Sequence, residues 1–491
     1  MKASKFLLYP LVASAAMVLV CCIGVAAQPN TAAAELFTYS TEIRLSPEAE
    51  PGVVRAPEKL TDIPRRVLDA PSAGSTTVEG ELDLDQAVRL ALVNSPYVRI
   101  AAQQYRRATG NLREARGALK PSFAVSGTYI RYDEVAEAEV APGQTIKLGE
   151  SDQKQATATI SVPIDVSGFI GAAVDAARYR EVAAGLDYAA TQQFVLLSVR
   201  QAYLDALRAR DAQAVAGESV DRLRVQLRLA NVRFQAGASP RFDVIRAETD
   251  LAAAEQNLIA SENQAQLAKL RLANVLGVRF AQSVELKSLK VAFDPPIPAL
   301  DVSLDRALQA RPELIAARAN LLAAERGIAF ERRGLLPTLQ LQLNYRYNGN
   351  TTLFQPREFT ADAVVAVNIP IFDGGVTAGR VQAAEAQKTI AREALTQQEQ
   401  EISFEVEQAY VSIENARKQV TVAQAALAQA AEGLRLAQVR YESGVGLLIE
   451  VTDAEVANTQ AQNNLVNAQY DLYLAYASLA RAIGNPELGL G

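Results

Sequence analysis

Histidine and tryptophan are absent from this 491-residue sequence, and cysteine occurs only twice. Without histidine the chain cannot build a histidine-based catalytic triad, an imidazole metal site or the Glu-x-x-His di-iron site of some helical bundles. The two cysteines, Cys21 and Cys22, lie together in an apolar stretch near the N-terminus. The sequence also contains no Walker loop or other nucleotide-binding motif. These absences argue against an enzyme, and we predict neither a cofactor nor a bound metal.

The first 27 residues have the pattern of a signal peptide. Lys2 and Lys5 precede an apolar run from Phe6 to about Ala27, and the run ends in residues small enough for cleavage. A transmembrane anchor is the competing interpretation, and either cysteine could instead carry a lipid, although the residues before them fit a lipoprotein cleavage box poorly. Cleavage removes two lysines and no acid, which changes the net charge from −6 to −8. No basic footprint for nucleic acid is visible.

The rest of the chain is a tandem duplication that follows a proline-rich arm. Matching segments recur 207 positions apart, for example Arg200-Gln-Ala-Tyr203 with Glu407-Gln-Ala-Tyr410. Pro96 and Pro121 match prolines 216 positions later, so one loop is nine residues shorter in the second copy. A constant offset over such a length indicates two copies of one structural unit. We predict an arm at 28–80, a first repeat at 81–288, a linker at 289–300, a second repeat at 301–485 and a tail at 486–491.

Each copy contains two segments in which apolar and polar residues alternate with a period of two. They span about 122–129 and 156–164 in the first copy and 339–347 and 361–371 in the second. Their length and pattern are those of an outer-membrane β-strand, with lipid on one side and water on the other. A half-buried sheet on a soluble core has the same alternation, so the pattern alone leaves both open. Aromatic residues near the strand ends would suit interfacial belts: Tyr129, Tyr132, Tyr345, Tyr347 and Phe372.

A helical hairpin follows each strand pair. We predict outgoing helices at about 172–234 and 377–441, returning helices at 240–276 and 449–483, and short helices at 97–119 and 312–334. A short helix and a returning helix, stacked end to end, would match one long helix. Gly237 and Gly444 end the outgoing helices in the left-handed conformation that glycine adopts without strain. Ser239 and Pro240 are predicted as the N-cap and first residue of the next helix, and Gly446 belongs to the second turn.

Four amphipathic strands are too few to close a barrel, for which about eight are needed. An open sheet would leave unpaired backbone groups in lipid, which is prohibitively costly. Three copies of the chain would supply twelve strands together with a matching set of helical rods. The residues therefore predict an assembled pore with a long periplasmic extension.

The ordered motifs of the two copies resemble the TolC family of outer-membrane efflux proteins over roughly residues 82–485. The motifs that carry the resemblance are Leu304-Asp-Arg-Ala-Leu, Arg311-Pro-Glu-Leu, Leu335-Leu-Pro337, Ile369-Pro-Ile-Phe-Asp-Gly-Gly375 and Val439-Arg-Tyr-Glu-Ser-Gly444. The resemblance implies an α+β membrane protein, in which a homotrimeric 12-stranded β-barrel continues into an α-helical periplasmic tunnel. It places the protein in the outer membrane as a passive duct for tripartite efflux or type I secretion. It also implies two partners, a periplasmic adaptor protein and an inner-membrane pump of the resistance-nodulation-division or ABC type.

The resemblance also assigns the hairpin tips to the periplasmic entrance of the duct. It implies that Glu450 and Asp453 line a constriction, and that Tyr441 and Asp243 take part in links that hold the entrance shut. Threefold symmetry would place three copies of each carboxylate around one axis, where the ring attracts cations. Solvated acids that stabilise the start of a helix are the plain alternative.

Two features of the second turn remain open at the level of the sequence. The family's gating arginine is not matched, because Gly446 occupies its position, and Arg241 and Arg246 are the candidate substitutes. The turn also carries four apolar residues, Val445, Leu447, Leu448 and Ile449. We expect them to contact the adaptor, and a hydrophobic staple that holds the tip together is the alternative.

An exported coiled-coil scaffold without a pore is the competing function. It would have the same helices and a small sheet, but it would be a monomer that needs no detergent. The sequence does not identify the cargo or the family of the pump.

Overall fold

The computed structural model of the chain describes residues 42–43, 54–55, 77–289, 296–350 and 357–484. The chain divides into two units, Met1–Thr61 and Asp62–Gly491. In the first unit, β1 (Glu42–Ile43) pairs antiparallel with β2 (Val54–Arg55). The predicted signal peptide with Cys21 and Cys22, most of the arm, the middle of the linker and the tail lie outside the described residues.

The helices of the second unit repeat the same order in both copies. They are α1 (Leu84–Asn94), α2 (Pro96–Gly117), α3 (Phe169–Gln235), α4 (Arg241–Leu276), α5 (Leu300–Ala310), α6 (Pro312–Arg332), α7 (Val376–Glu442) and α8 (Leu448–Ala482). The long helices α3 and α7 have 67 residues each, which at 1.5 Å per residue is ~100 Å. The predicted helices agree with these bounds to within a few residues. Within the described part of the second unit, no helix is both long and apolar enough to cross a membrane.

Local sequence explains where these helices start. Asp83 caps α1 in a capping box with Gln86, whose backbone N–H donates to the Asp83 carboxylate at 2.6 Å. Pro96 and Pro312 stand at the first positions of α2 and α6, where a missing N–H costs nothing. The carboxylate of Asp165 accepts hydrogen bonds from the backbone N–H groups of Ile170 and Gly171 in the first turn of α3.

The second unit also contains ten strands among the described residues. They are β3 (Thr77–Val78), β4 (Glu81–Leu82), β5 (Ser122–Arg131), β6 (Glu137–Ala141), β7 (Gln144–Lys147), β8 (Asp152–Ile164), β9 (Arg279–Phe280), β10 (Glu285–Leu286), β11 (Thr338–Asn348) and β12 (Phe359–Asn368). The four long strands form one antiparallel sheet in the order β12-β11-β8-β5. The hairpin of β6 and β7, which the sequence did not predict, lies in the interval where the first copy is nine residues longer.

The sheet has one polar and one apolar face, as predicted. On the polar face, Thr159 donates to the Asn344 side chain at 3.0 Å, and Asn344 donates to Asp362 at 2.9 Å. On the other face, the rings of Tyr345 and Phe359 stack with centroids 5.8 Å apart. Phe123 on this face is 69% exposed. The described chain therefore leaves open the apolar face that a soluble core would have covered.

The last strand is shorter than predicted. The alternation in the sequence continues to Ile371, but β12 ends at Asn368. Ile371 is 93% exposed. Among the described strands of one chain, β12 has a partner on one side only, so its pairing is not extended from the other side.

The helices form a layer in which long helices alternate with stacked pairs. The helix α7 packs against α6 and α8, both of these pack against α3, and α3 packs against α2 and α4. The predicted end-to-end stacking of short and returning helices is therefore confirmed. One hydrophobic cluster surrounds α3 and includes residues of α1, α2, α4 and α8. A second centres on α7 and α8, and a third joins the two hairpin tips.

The repeated tyrosines at 203 and 410 anchor the segment before each copy's first helix. The Tyr203 hydroxyl contacts the carbonyl oxygens of Leu82 and Lys287 at 2.9 and 2.7 Å. The Tyr410 hydroxyl donates to the Pro298 carbonyl oxygen at 2.6 Å. Nearby, β3 and β4 pair in parallel with β9 and β10, so the last residues of the predicted arm belong to the first repeat.

An ionic cluster around the buried Arg311 explains the Arg-Pro-Glu motif of the second copy. Arg311 is 1% exposed and donates to the carboxylates of Glu313 and Glu405. Arg481, at the end of α8, lies 3.6 and 3.7 Å from the same two carboxylates. Burial alone would raise the pKa of Glu313, but the hydrogen bond and charge of Arg311 outweigh burial and hold that pKa below its usual value. The cluster fastens the junction of α5 and α6 to α7 and α8.

Candidate functional site at the hairpin tips

Both hairpins turn through the same backbone motif. At the end of α3, Gly237 has φ +72°, and the N–H groups of Ala238 and Gly237 donate to the carbonyls of Arg233 and Phe234 at 2.8 and 3.0 Å. These are the two hydrogen bonds of a Schellman motif. The predicted left-handed glycine is therefore confirmed in the first turn.

The second turn repeats the motif and adds one closer contact. Gly444 has φ +82°, and the N–H groups of Val445 and Gly446 both donate to the Arg440 carbonyl, at 3.1 and 2.9 Å. A Cβ added at Gly446 would lie 2.9 Å from the Arg440 Cβ and 3.0 Å from the Tyr441 nitrogen. Glycine is required at 446 because the backbone approaches too closely for a side chain.

The prediction for the cap of α4 was wrong. Pro240, with φ −77° and ψ 158°, is itself the N-cap residue, and the helix starts at Arg241. No side chain caps this end, and the Ser239 hydroxyl is buried without a hydrogen-bond partner in the described chain. Proline supplies the extended conformation that an N-cap needs, so the turn is fixed without a serine cap.

The two tips of one chain pack on each other through a small apolar core. Its members are Ala230, Val244, Ala247, Leu434, Ala437, Tyr441, Leu448 and Val451. Leu448 is 3% exposed and therefore cannot contact an adaptor while this core is intact. Leu448 therefore helps to hold the tip together, as in the alternative interpretation of a hydrophobic staple. Val445, Leu447 and Ile449 are exposed at the tip, and for these three the adaptor contact stays a prediction.

The predicted acids differ in their surroundings. Glu450 pairs with Arg440, whose Nε lies 3.1 Å from its carboxylate. Asp453 is exposed one turn later and has no ion-pair partner among the described residues. Asp243 is half-buried. Burial raises the pKa of the Tyr441 phenol, and the nearby negative charge of Asp243 raises it further. Of the two predicted acids of the second tip, Asp453 is therefore the one without an ion pair among the described residues.

Tyr441 is linked to the other hairpin by an arginine that the sequence analysis did not single out. Its hydroxyl is buried and has no hydrogen-bond partner in the described chain, so Asp243 acts on it through charge alone. The Arg233 guanidinium lies over its ring, 4.6 Å from the centroid, and donates to its carbonyl oxygen. Arg241 and Arg246 were the candidates for the role of the family's gating arginine. In the structure, Arg246 lies 3.9 Å from the Asp250 carboxylate, and Arg241 is exposed. The signal for Arg233 was the Val-Arg-aromatic motif itself, which places an arginine before each turn.

A polar network joins the hairpins just above the tips. Glu455, which was not among the acids predicted from the sequence, is 3% exposed, and Arg222 donates to it at 2.7 Å. Closer to the tips, the Gln226 side-chain amide donates to the Thr452 hydroxyl at 3.3 Å. The Thr452 hydroxyl in turn donates to the Asp250 carboxylate at 3.1 Å. These residues connect α3 and α4 of the first copy to α8 of the second.

Comparisons with known proteins agree with this architecture. A model of the outer membrane efflux protein family matches residues 87–278 and 303–485. The outer membrane protein TolC of Vibrio cholerae is 25% identical over 409 residues, which cover 82% of this chain and 90% of the relative. The alkaline protease secretion protein AprF of Pseudomonas aeruginosa is 24% identical over 409 residues, 81% of this chain and 83% of the relative.

Solved structures show the same fold at lower identity. The outer membrane protein VceC from Vibrio cholerae has a TM-score of 0.72 at 22% identity and covers 82% of this chain and 97% of its own. The MtrE outer membrane channel of Neisseria gonorrhoeae, in its open state, has a TM-score of 0.67 at 18% identity and covers 82% and 89%. The family match extends over most of the sequence, so the resemblance to TolC is confirmed and the chain belongs to the outer membrane efflux protein family.

Proposed function

We propose that three copies of this chain form a passive export duct through the outer membrane. The observation that carries the proposal is the four-stranded sheet, which has two free edges, β5 and β12, and an exposed apolar face. Such edges cannot remain unpaired in lipid. Joining β12 of one chain to β5 of the next keeps every pair antiparallel, and three copies close a barrel of twelve strands.

The internal duplication gives the register of this joint. Within one chain, Ala158 and Ile164 of β8 lie opposite Tyr345 and Leu339 of β11. The counterpart of β8 is β12, 207 positions later, and the counterpart of β11 is β5, 216 positions earlier. Transferred by these offsets, the observed register pairs Val365 with Tyr129 of the next chain and Ile371 with its Phe123. Both pairs are apolar, and Ile371 gains the partner that it lacks in one chain.

Exposed apolar residues on the outer helices support the same closure. Ile259 and Leu267 on α4 and Phe404 and Val411 on α7 are exposed in one chain. Their counterparts 207 positions away meet in one hydrophobic cluster between α3 and α8, namely Val466, Leu474, Leu197 and Leu204. In the trimer, α4 of one chain packs against α7 of the next in the same way. The long helices then continue the barrel as a tunnel.

The duct opens toward the periplasm at its tips. A periplasmic adaptor protein contacts the exposed Val445, Leu447 and Ile449, and an inner-membrane pump of the resistance-nodulation-division or ABC type supplies the energy. The names of the relatives support export, because AprF is a protease secretion protein. Asp453, with Glu450, forms the acidic ring that attracts cations at the entrance.

Purified protein tests the proposal. We expect outer membranes to yield a detergent-dependent trimer that separates into monomers on heating, and the trimer to conduct ions across planar bilayers. A monomeric periplasmic protein that needs no detergent would contradict the duct and support the exported scaffold.

A further inference from the structure

The arginine before each hairpin turn has a different partner in the two copies. Arg233 lies over the ring of Tyr441 and donates to its carbonyl oxygen, and so it joins the first tip to the second. Arg440, its counterpart 207 positions later, folds back onto Glu450 in its own tip. Because the two turns share the same Schellman motif, their arginines start from equivalent backbone positions, and the difference lies in what surrounds them.

The counterpart of Tyr441 in the first copy is Phe234, and it carries the same acceptor. The Tyr441 carbonyl accepts the Gly444 N–H at 3.1 Å and also Arg233. The Phe234 carbonyl accepts the Gly237 N–H at 3.0 Å. A carbonyl oxygen has two lone pairs, and the C-terminus of a helix attracts a cation. The Phe234 ring is also exposed, so both parts of an arginine site are present without the arginine.

We propose that in the trimer Arg440 of each chain leaves Glu450 and binds Phe234 of the neighbouring chain. The guanidinium stacks on the Phe234 ring and donates to the Phe234 carbonyl oxygen, as Arg233 does at Tyr441. The inference rests on the proposed trimer, in which the first copy of one chain lies beside the second copy of the next. Six arginines then join the six tips into a closed ring, three within chains and three between them.

The exchange also changes the charge of the entrance. In the isolated chain, Arg440 neutralises Glu450. Once Arg440 binds the neighbouring chain, the Glu450 carboxylate loses its cation and adds its charge to that of Asp453. Assembly of the trimer therefore completes the acidic ring.

Crosslinking between introduced cysteines tests the contact. In a chain with Cys21 and Cys22 replaced by alanine, Arg440→Cys is combined with Phe234→Cys, and trimers are treated with a bis-maleimide of about 10 Å, a reach suited to a stacked arginine–aromatic pair. We expect covalent dimers and trimers. The matched control is Arg233→Cys with Tyr441→Cys, which should crosslink within single chains only.

Intact heat-dissociable trimers that give no interchain product with the 440/234 pair would overturn the proposal and leave the duct standing. Absence of trimers in the unsubstituted protein would instead overturn the proposed function. The two failures are therefore distinguishable.

The temperature at which the trimer dissociates gives a second test that needs no cysteine. We expect Arg440→Ala to lower it, and Phe234→Leu to add no further decrease in the Arg440→Ala background. Arg435→Ala is the matched control, because Arg435 pairs with Glu432 on its own helix, and it should have no effect. Glu450→Gln removes only the pair between Arg440 and Glu450 that the single chain shows. If it lowered the dissociation temperature as much as Arg440→Ala does, the intrachain pair would explain the effect, and the proposal would be overturned.

Discussion

Removal of the Glu455 carboxylate should loosen the contact between the two hairpins of one chain. Glu455 is buried in α8, and its carboxylate accepts a hydrogen bond from Arg222 of α3 at 2.7 Å. Ser219 and Thr459 lie 3.4 and 3.3 Å from the same oxygen. Glu455→Ala would leave the Arg222 charge partly buried and without this partner.

The expected cost follows from the burial of the two groups. Breaking a fully buried ion pair by removing one partner costs about 3–5 kcal/mol. The Arg222 side chain remains 27% exposed, so water offsets part of the loss, and we expect about 2–3 kcal/mol. Since 1.4 kcal/mol corresponds to a factor of ten, local opening should become roughly 30- to 150-fold more frequent.

Amide hydrogen exchange of detergent-solubilised trimers, read by mass spectrometry, measures this opening. We expect faster exchange in peptides from the part of α8 around Glu455 and from the facing part of α3. Glu450→Gln is the matched control, because Glu450 lies on the same helix and its pair with Arg440, which the single chain shows and the proposed trimer lacks, is exposed and worth at most about 1 kcal/mol. Unchanged exchange around position 455 in Glu455→Ala would refute the reasoning.

Three further predictions concern the entrance, the tip and the middle of the helical layer. Asp453→Ala should lower cation selectivity and divalent-cation block in planar bilayers; unchanged selectivity would count against the acidic ring. Leu447→Asp should abolish export while trimers remain, whereas Leu448→Asp should disrupt the tip core itself; normal export with Leu447→Asp would contradict the proposed adaptor contact. Arg311→Ala should destabilise the protein by about 2–3 kcal/mol in urea unfolding, because the partly buried carboxylates of Glu313 and Glu405 lose their buried partner and keep only Arg481. The pKa of Glu313 is lowered in the folded state, so its stabilisation is present above the unfolded pKa and is lost as pH falls through the folded pKa; Arg311→Ala should flatten this acid dependence.

The sequence was sufficient for the elements that depend on local periodicity. The 207-residue offset and the glycines at 237 and 444 located both hairpins, because a helix that ends in a left-handed residue leaves a mark in the sequence. The strand pairs were found from alternation alone, whereas the order of the sheet was not predicted and came from the structure, in which β8 pairs with β11.

The side chains of the tips were harder to predict because their roles depend on packing between distant segments. Leu448 looked like an exposed turn residue, yet it fills a core made by both hairpins. Arg233 was visible in the motif, but only the folded chain brings it onto Tyr441. Ser239 has a side chain that commonly caps helices, but the N-cap residue is Pro240, whose φ is fixed by its ring. The predicted extension of β12 to Ile371 is absent from the single chain, and in the proposed trimer it would require pairing with β5 of a neighbouring chain.

The most direct test of the barrel is oxidative crosslinking of Tyr129→Cys with Val365→Cys in outer membranes, in a chain that lacks Cys21 and Cys22. Closure by three copies requires that this pair give a covalent trimer. Tyr129→Cys with Val364→Cys should give none, because a shift by one residue turns the second thiol to the other face of the sheet. Exclusively monomeric products from the 129/365 pair, with the protein present in the membrane, would contradict closure of the barrel by three copies of this chain.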